Sequence, residues 1–295
     1  MDSRDYHTIE RLPDGSVVVE NNTGQDAPDV VCVNPAVFRG WEVYRKEFRK
    51  KKIYLQGEYE KAIVECLTCP DSFVLSMNGY SYLGPEHFRR YGIQEGDYEA
   101  ACAAILRSAI KQLRIKFPEA KLQLIYGASD MGVDKAIEIV AREFNLNLFG
   151  FSCVEFLPYA KDDDIPVYVA DTVDDYADAY IRSLDLLITT GGREHALKHD
   201  VLAACVYNKR IHFVDVLNSL SVTGGVPATV IDEKGKVTVD NAAAAFGRNV
   251  SFFSRDNAVS ASSDKGDRWD AIFENVSSVA IGVCRQKMSA QKKFS

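Results

Sequence analysis

The stretch at residues 185–200 combines the residue types that bind an anion. An acidic residue precedes a short apolar run, which ends in a Thr-Thr-Gly-Gly turn at 189–192 and passes directly into an amphipathic segment. This order is typical of a buried parallel strand that runs through a glycine turn into a helix. Glycines let the backbone approach a ligand closely, and a helix start offers unpaired N–H groups and a positive dipole end. The turn therefore predicts a phosphate or other anion site and favours a nucleotide-like ligand.

A second glycine turn begins at Gly127, directly after another apolar strand pattern. Gly127 and Gly132 have the spacing of P-loop glycines. The next two positions hold Val133 and Asp134 instead of Lys and Ser or Thr, which disfavours ATP hydrolysis of that type. No G-x-G-x-x-G follows a strand pattern, so the standard dinucleotide fingerprint is absent. Two roles stay open: Asp130 and Asp134 cap the helix or face solvent, or Asp134 accepts hydrogen bonds from ribose hydroxyls.

Possible metal ligands are few. His195 and His199 lie four residues apart on the predicted helix, after Glu194. Their order differs from the His-Glu-x-x-His of zinc peptidases and no third ligand is apparent, so we expect pocket-lining or surface histidines and no metal. Cys66 and Cys69 lack the second pair that a zinc site requires, so a structural role is favoured.

The composition describes an acidic, globular chain. The 295 residues carry a net charge of −7, with 46% hydrophobic and 26% charged residues, which is ordinary for a soluble protein. No signal peptide is apparent, and no apolar run approaches the ~20 residues of a membrane helix. Seven scattered cysteines indicate a reducing compartment, so we expect a cytoplasmic protein. The acidic balance disfavours nucleic acid as a partner, and the charged runs at 45–52 and 162–164 are interpreted as solvated surface.

From residue 72 onwards, strand patterns alternate with helical patterns. Strands are predicted at 73–77, 122–126, 146–151, 166–170, 186–188 and 211–214, and helices at 97–117, 133–144 and 172–183. This alternation implies right-handed crossovers and a parallel sheet with helices on both faces, so the predicted fold is α/β, Rossmann-like and doubly wound. Ligands bind outside the carboxyl ends of such strands, which directs attention to the loops at 78–84, 127–132 and 190–193.

Less regular segments flank this core and are predicted as appendages of small hairpins and helices. The expected divisions are 1–65 for an N-terminal extension, 66–220 for the core and 221–295 for a C-terminal appendage. Asp14-Gly15 predicts one hairpin, and Glu233 to Gly235 predicts another within 229–239. Further helices are expected at 35–52, 57–68 and 269–275, with a loop at 257–267, a strand at 276–284 and a frayed basic tail from Arg285.

Three glycine motifs, by their order and spacing, make residues 73–216 resemble the SLOG superfamily. That superfamily includes the Lonely-guy (LOG) phosphoribohydrolases, the DNA-processing protein A core and ligand-sensing domains of bacterial defence proteins. The motifs are a strand followed by Gly79-Tyr80-Ser81-x-Leu83-Gly84, then Tyr126-Gly-Ala-Ser-Asp-Met-Gly132-Val-Asp134-x-Ala136, and then Asp185-Leu-Leu-Ile-Thr-Thr-Gly191-Gly192. The resemblance covers about half of the chain and implies a Rossmann-like domain with a nucleotide pocket.

The residues that Lonely-guy enzymes use for catalysis are replaced in this chain. Thr190 stands at the proline of their Pro-Gly-Gly-x-Gly-Thr-x-x-Glu motif, and Lys198 stands at its catalytic Glu. The Arg-Lys pair before the same strand falls on Tyr176 and Ala177. The resemblance therefore implies a retained pocket without that activity. The ligand contacts it implies are Gly79, Tyr80, Gly127, Ala128, Ser129, Asp130, Gly132, Thr190, Gly191, Gly192 and Arg193, with Arg193 as the charged partner of a phosphate.

Three function classes follow. The first is a binding protein, a sensor or carrier for an ADP-ribose, NAD-derived or cyclic-nucleotide species, without a cofactor of its own. The second is an N-glycosidase or phosphoribohydrolase-type enzyme in which Glu194 and Asp134 supply acid, base or cation-stabilising groups. The third, a DNA-interacting module, is disfavoured by the acidic net charge. Relatives in the superfamily commonly dimerise, so the resemblance also implies a homo-oligomer.

Overall fold

The computed structural model describes residues 6–11, 17–21, 30–33, 48, 50–67, 72–81, 83, 88–89, 91–161, 163–191, 200–221, 250–253 and 265–291. The first three strands, β1 (Tyr6–Arg11), β2 (Val17–Asn21) and β3 (Val30–Val33), form a small antiparallel sheet in that order. Pairing of β1 with β2 confirms the hairpin predicted from Asp14-Gly15.

The main sheet of the described residues contains eight strands, and every neighbouring pair is parallel. The strands are β4 (Ile53–Leu55), β5 (Ser72–Asn78), β6 (Lys121–Tyr126), β7 (Asn147–Cys153), β8 (Val167–Ala170), β9 (Leu186–Thr189), β10 (Arg210–Val214) and β11 (Val250–Phe253). Their spatial order is β11-β10-β9-β5-β6-β7-β8-β4. Strands buried on both faces need apolar side chains throughout, which is why the sequence shows continuous apolar runs here.

Helices cover both faces of this sheet, which confirms the α/β doubly wound fold. They are α1 (Tyr59–Cys66), α2 (Asp97–Lys116), α3 (Gly132–Glu143), α4 (Val173–Arg182), α5 (Val201–Val206), α6 (Val216–Leu220) and α7 (Lys265–Gln291). Buried residues of α2, α3, α6 and α7 share one apolar core, and those of α1, α4 and α5 share the other. Helix α3 buries Val133, Ala136, Ile137, Val140 and Ala141, the 3.6-residue period that predicted it.

The winding of the sheet reverses at β5, which places a crevice beside that strand. From β5 the chain proceeds outwards through β6, β7 and β8, and then crosses back to β9 on the other side of β5. Helix α4 makes this return, and it begins where Thr172 accepts a hydrogen bond from the Asp175 N–H at 3.1 Å. The connections after β5 and β9 therefore leave in opposite directions, and ligands bind in the crevice between such connections.

The C-terminal region differs from the sequence prediction. A helix at 269–275, a strand at 276–284 and a frayed tail from Arg285 were expected, but one helix, α7, runs through all three. Its buried residues Ile272, Val276, Ala280 and Cys284 are four apart, and it packs along α2, where the Ser108 and Ser277 hydroxyls lie 3.2 Å apart. The β-branched residues in 276–284 suggested a strand, but burial of this helical stripe against α2 outweighs that local preference.

Two charged runs predicted to be solvated instead contribute a buried pair. Lys51 is 5% exposed and Asp163 is 8% exposed, and the Lys51 Nζ donates to Asp163 Oδ1 at 2.5 Å. The ammonium also donates to the Ile165 carbonyl at 2.9 Å. This pair links the segment before β4 to the segment before β8, and the two strands themselves pair at the edge of the sheet. The solvated-surface interpretation is therefore wrong at these two positions, whereas Asp164 is exposed as expected.

Both predicted appendages contribute strands to the main sheet. Strand β4, from the predicted N-terminal extension, lies at one edge, and β11, from the predicted C-terminal appendage, lies at the other. The division points themselves stay a prediction. The expected hairpin at 229–239, residues 35–47 and 49 of the helix expected at 35–52 and residues 257–264 of the expected loop lie outside the described residues. Residues 50–52 of that expected helix are not helical, and residues 265–267 of the expected loop belong to α7. Within the described part of the chain, no helix combines the length and the apolar character needed to cross a membrane.

Candidate functional site

The loops that follow β5, β6 and β9 meet at Tyr80. The Val133 N–H, in the first turn of α3, donates to the Tyr80 carbonyl at 3.1 Å. The Tyr80 N–H donates to the Tyr98 hydroxyl of α2 at 2.9 Å, and the two rings meet edge to face at 5.9 Å. On the third side, Gly191 faces the Tyr80 ring. The structure thus brings the three predicted glycine loops together at the carboxyl edge of the sheet, with one tyrosine between them.

A buried chain of hydrogen bonds supports this junction. The Tyr98 hydroxyl, which accepts from Tyr80, lies 2.6 Å from Thr190 Oγ1. The Thr190 hydroxyl donates to the Asn78 carbonyl at 2.9 Å, and the Thr190 N–H donates to the same oxygen at 2.9 Å. The only consistent direction has Tyr98 donating to Thr190. Burial raises the pKa of Tyr98 well above its ordinary value, so the phenol keeps the proton that it donates.

Glycines are required at this junction because the loops approach one another closely. A Cβ at Gly79 would overlap the Tyr98 hydroxyl and the Thr190 hydroxyl. A Cβ at Gly132, where φ is +51°, would overlap the Tyr80 carbonyl. The sequence predicted close backbone approach to a ligand, and the structure has close approach between the loops themselves at these two positions.

Two backbone donors at the junction make no hydrogen bond within the described residues. In the first turn of α3, the Val133 N–H is used by Tyr80 and the Asp134 N–H by Met131, but the Gly132 N–H has no such partner. The Gly191 N–H likewise has none among the described residues. Both glycines lie against Tyr80. An oxyanion placed beside Tyr80 could therefore accept from two loops at once and would face the positive end of the α3 dipole.

Asp134 organises the loop between β6 and α3. Its Oδ1 accepts from the Gly127 N–H at 2.8 Å, and its Oδ2 accepts from the Ser129 N–H at 3.2 Å and the Ser129 hydroxyl at 2.7 Å. Burial raises the pKa of this carboxyl, while the hydrogen bonds from Ser129 and Gly127 act in the opposite direction. Ala128 between them has φ of +62° and is buried. Asp130 is exposed, with its carboxylate 3.7 Å from the Lys161 ammonium.

A second buried carboxyl, Asp200, was not among the predicted site residues. Its Oδ2 accepts from Asn78 Nδ2 at 3.0 Å, and the residue is 4% exposed. Burial is the main cause that raises its pKa to about 7, the Asn78 hydrogen bond opposes this, and the charge of Asp134 adds to it. Asp200 therefore changes protonation near neutral pH. Only its position, at the end of the glycine-turn stretch, signalled this role in the sequence.

Tyr176 and Tyr180 of α4 and the neighbouring Phe156 form an aromatic wall near these carboxyls. Tyr176 stacks on Tyr180 with ring centroids 5.7 Å apart and an interplanar angle of 13°, and it meets Phe156 edge to face at 6.1 Å. The Tyr180 hydroxyl lies 2.5 Å from Ser76 Oγ. Tyr176 is only partly buried, yet burial and the charge of Asp200 raise its pKa well above its ordinary value.

Other predicted residues of the glycine turn lie outside the described residues. These are Gly192, Arg193 and Glu194, together with His195, Lys198 and His199. Their contacts, and the catalytic role of Glu194 with Asp134, stay predictions. Among the described residues, no group of three or more His, Cys, Asp or Glu side chains has the arrangement of a metal site.

Comparison with protein-family models and with characterised proteins gives no match. Several solved structures are similar to this chain, and they include the following two. The Northeast Structural Genomics Consortium target TM1055 is 17% identical over 64% of this chain and 97% of its own, with a TM-score of 0.36. A molybdenum cofactor binding protein from the phototrophic bacterium Rippkaea orientalis is 12% identical over 70% of this chain and 98% of its own, with a TM-score of 0.38. These values describe a distant likeness in fold.

Proposed function

We propose that this protein binds a nucleotide-derived small molecule, of the ADP-ribose, NAD-derived or cyclic-nucleotide type, as a sensor or carrier. The site is the crevice at the carboxyl ends of β5 and β9. The observation that carries the proposal is the meeting of three loops at Tyr80, with the N–H groups of Gly132 and Gly191 on either side. Phosphate oxygens accept hydrogen bonds from such backbone donors, and the α3 dipole favours their charge.

The aromatic wall supplies the second part of the ligand site. Tyr176 offers a partly exposed ring already fixed by its stack on Tyr180. Stacking of a base on an aromatic side chain contributes about 1–3 kcal/mol and tolerates any base, because every base has a π-face. A ligand with a phosphate at Tyr80 and a base at Tyr176 uses both features.

The resemblance to the SLOG superfamily supports binding more than the Lonely-guy reaction. Tyr176 occupies the place of the Arg in the catalytic Arg-Lys pair, and Lys198 occupies the place of the catalytic Glu. An oxocarbenium-like transition state gains from a carboxylate, and an ammonium at the same place opposes the developing positive charge.

One observation favours an enzyme as the second candidate. Asp200 is a buried carboxyl with a pKa of about 7, and Asp134 is close enough for its charge to contribute to that shift. A buried carboxyl that holds its proton near neutral pH, beside a second carboxyl, is an arrangement that acid-base catalysis uses. An N-glycosidase that uses Asp200 as its proton donor is the corresponding alternative.

The test is a thermal-shift panel of AMP, ADP-ribose, NAD and cyclic nucleotides, with chromatography of each mixture. A ligand that binds only the folded state raises the melting temperature by mass action. Stabilisation without a product supports the sensor or carrier, and release of a free base supports the glycosidase. If no compound raises the melting temperature and no product forms, both the binding function and the glycosidase function are contradicted.

A matched pair of variants locates the site. Gly191 has φ of +100° and Gly96, the residue before the first turn of α2, has φ of +86°. Alanine at either position carries a similar backbone cost. The Cβ of Gly191→Ala would lie 3.0 Å from the Tyr80 ring, whereas the Cβ of Gly96→Ala would have no atom of the described residues within 4 Å. We expect Gly191→Ala to weaken ligand binding at least about tenfold and Gly96→Ala to leave it unchanged. Equal affinities in the two variants would place the ligand elsewhere.

A further inference from the structure

A groove of about 580 Å³ lies at the amino-terminal ends of the strands, whereas the glycine loops lie at their carboxyl ends. Asp185 and Arg210 line it at the amino-terminal ends of β9 and β10, and Gly282, Gln286 and Lys287 of α7 form the facing wall. The amino-terminal and carboxyl ends of parallel strands lie on opposite sides of a sheet, so this groove is separate from the crevice at Tyr80.

Positive charge dominates the lining of this groove. Lys209, Arg210 and Lys287 line it with a single carboxylate, Asp185, whereas the whole chain has a net charge of −7. The Lys287 ammonium donates to Asp185 Oδ2 at 2.6 Å, so that carboxylate is already engaged.

Lys209 has no carboxylate partner of its own in the described part of the chain. Its Nζ donates to the carbonyls of Arg182 at 3.0 Å and Leu184 at 2.8 Å, at the carboxyl end of α4. These neutral acceptors hold the ammonium in place without cancelling its charge. Burial lowers the pKa of Lys209, and the nearby charges of Lys287 and Arg182 lower it further, although Asp185 opposes them. Lys209 therefore belongs to a cluster whose positive charges repel one another.

Within the described part of the chain, both ammonium groups keep one donor without a partner. An ammonium has three N–H donors. Lys209 uses two on carbonyls, and Lys287 uses two, on Asp185 and on the Ser72 carbonyl at 2.5 Å. The positions of both groups are fixed by these bonds, so an incoming anion meets oriented donors and little side-chain ordering is required.

The facing helix is open at Gly282. A glycine inside a helix costs about 1 kcal/mol relative to alanine. No atom of the described residues lies within 4 Å of the position that a Cβ would take at Gly282, so packing within the described chain does not require glycine there. The missing side chain leaves this wall of the groove clear.

We propose that this groove is a second ligand site, which binds a small phosphorylated anion independently of the crevice at Tyr80. Its volume falls within the range of small-molecule sites, roughly 300–1,000 Å³. The phosphate oxygens accept from Lys209 and Lys287, and Arg210 adds positive charge beside them. Binding relieves the repulsion among the lysines.

Inorganic pyrophosphate is the probe, titrated by calorimetry into the full chain at constant ionic strength. Gln286→Glu places a negative charge in the groove, at an exposed residue whose side chain makes no hydrogen bond within the described residues. Arg285→Gln changes the net charge by the same amount at the next residue, which is exposed and does not line the groove. We expect Gln286→Glu to weaken pyrophosphate binding at least about tenfold and Arg285→Gln to change it less than about twofold.

Three results overturn the proposal. The first is no binding of pyrophosphate to the unaltered chain, and the second is an equal effect of the two charge variants. The third is binding that Gln286→Glu leaves intact and Gly191→Ala removes, since the anion then occupies the glycine loops and the proposed function at Tyr80 gains support. Circular dichroism of both charge variants verifies that α7 remains folded.

Discussion

Asp200 predicts how the stability of this protein depends on pH. Burial raises the pKa of its carboxyl to about 7 in the folded chain, from 3.8 for an ordinary Asp. Between these two values the unfolded chain has released the proton and the folded chain retains it. Stability from this group is therefore fully present below pH 3.8, falls as the pH rises towards 7 and is constant above that value.

The size of the effect follows from the difference in pKa. One pKa unit corresponds to about 1.4 kcal/mol, so an ionised Asp200 lowers the free energy of unfolding by about 4 kcal/mol at pH 8, as an order of magnitude. Between pH 5 and pH 8 the loss is about 2–3 kcal/mol. Asp200→Asn keeps an oxygen that can accept from Asn78 but removes the titration. We therefore expect the variant to gain about 2–3 kcal/mol on the original protein over that pH interval.

The assay is urea unfolding at pH 5, 6, 7 and 8, followed by circular dichroism. Other groups that titrate in this interval are shared by both proteins and cancel in the difference. Asp164→Asn, at an exposed carboxylate, is the control and should follow the original protein at every pH. If Asp200→Asn also follows the original protein in parallel, Asp200 is not protonated in the fold and its role as a proton donor fails with it.

Adjacent threonines give a second prediction: Thr190→Val should lower the free energy of unfolding by about 1–3 kcal/mol, because it removes the link between Tyr98 and Asn78. Thr189→Val should be neutral or stabilising in the same urea experiment, since its hydroxyl is buried without a partner in the described part of the chain. Tyr176→Ala should weaken the panel ligand by about 1–3 kcal/mol in calorimetry and Tyr176→Phe should not, since stacking needs only the ring. Asp163→Asn should cost about 3–5 kcal/mol in thermal unfolding because it removes the carboxylate that pairs with the buried Lys51, and equal melting temperatures would contradict that.

Local patterns predicted most of the core elements. Helix α3 has an uninterrupted apolar period, and the strands from β5 to β10 are short apolar runs bounded by polar residues, so neighbours in sequence suffice to identify them. In α7 the same reasoning failed, because β-branched residues favour a strand locally and only contact with α2 decides for a helix. The buried pair of Lys51 and Asp163 was missed for a similar reason, since its partners are separated by 112 residues.

In the candidate site, too, the residues with local sequence signals were predicted and those with distant partners were missed. Glycine turns at strand ends are local signals, and the sequence placed Gly79, Gly132 and Gly191 at one edge of the sheet. Tyr98 and Asp200 were missed because each acts on a partner far away in sequence. Tyr98 reaches Tyr80 from the first turn of α2, and Asp200 reaches Asn78 across 122 residues. Apolar periodicity assigns such a tyrosine to the core and gives no sign that its hydroxyl is used.

The glycines alone do not distinguish a ligand site from a tightly packed junction. At Gly79 and Gly132 the space for a side chain is filled by atoms of the protein itself, so these residues would be needed even if nothing were bound. Close packing of the loops is therefore enough to explain these two glycines. N–H groups at Gly132 and Gly191 that have no partner within the described residues, a partly exposed Tyr176 and a carboxyl with a pKa of about 7 serve no packing purpose. Together they favour a ligand, because each has a cost in the folded chain that binding can offset.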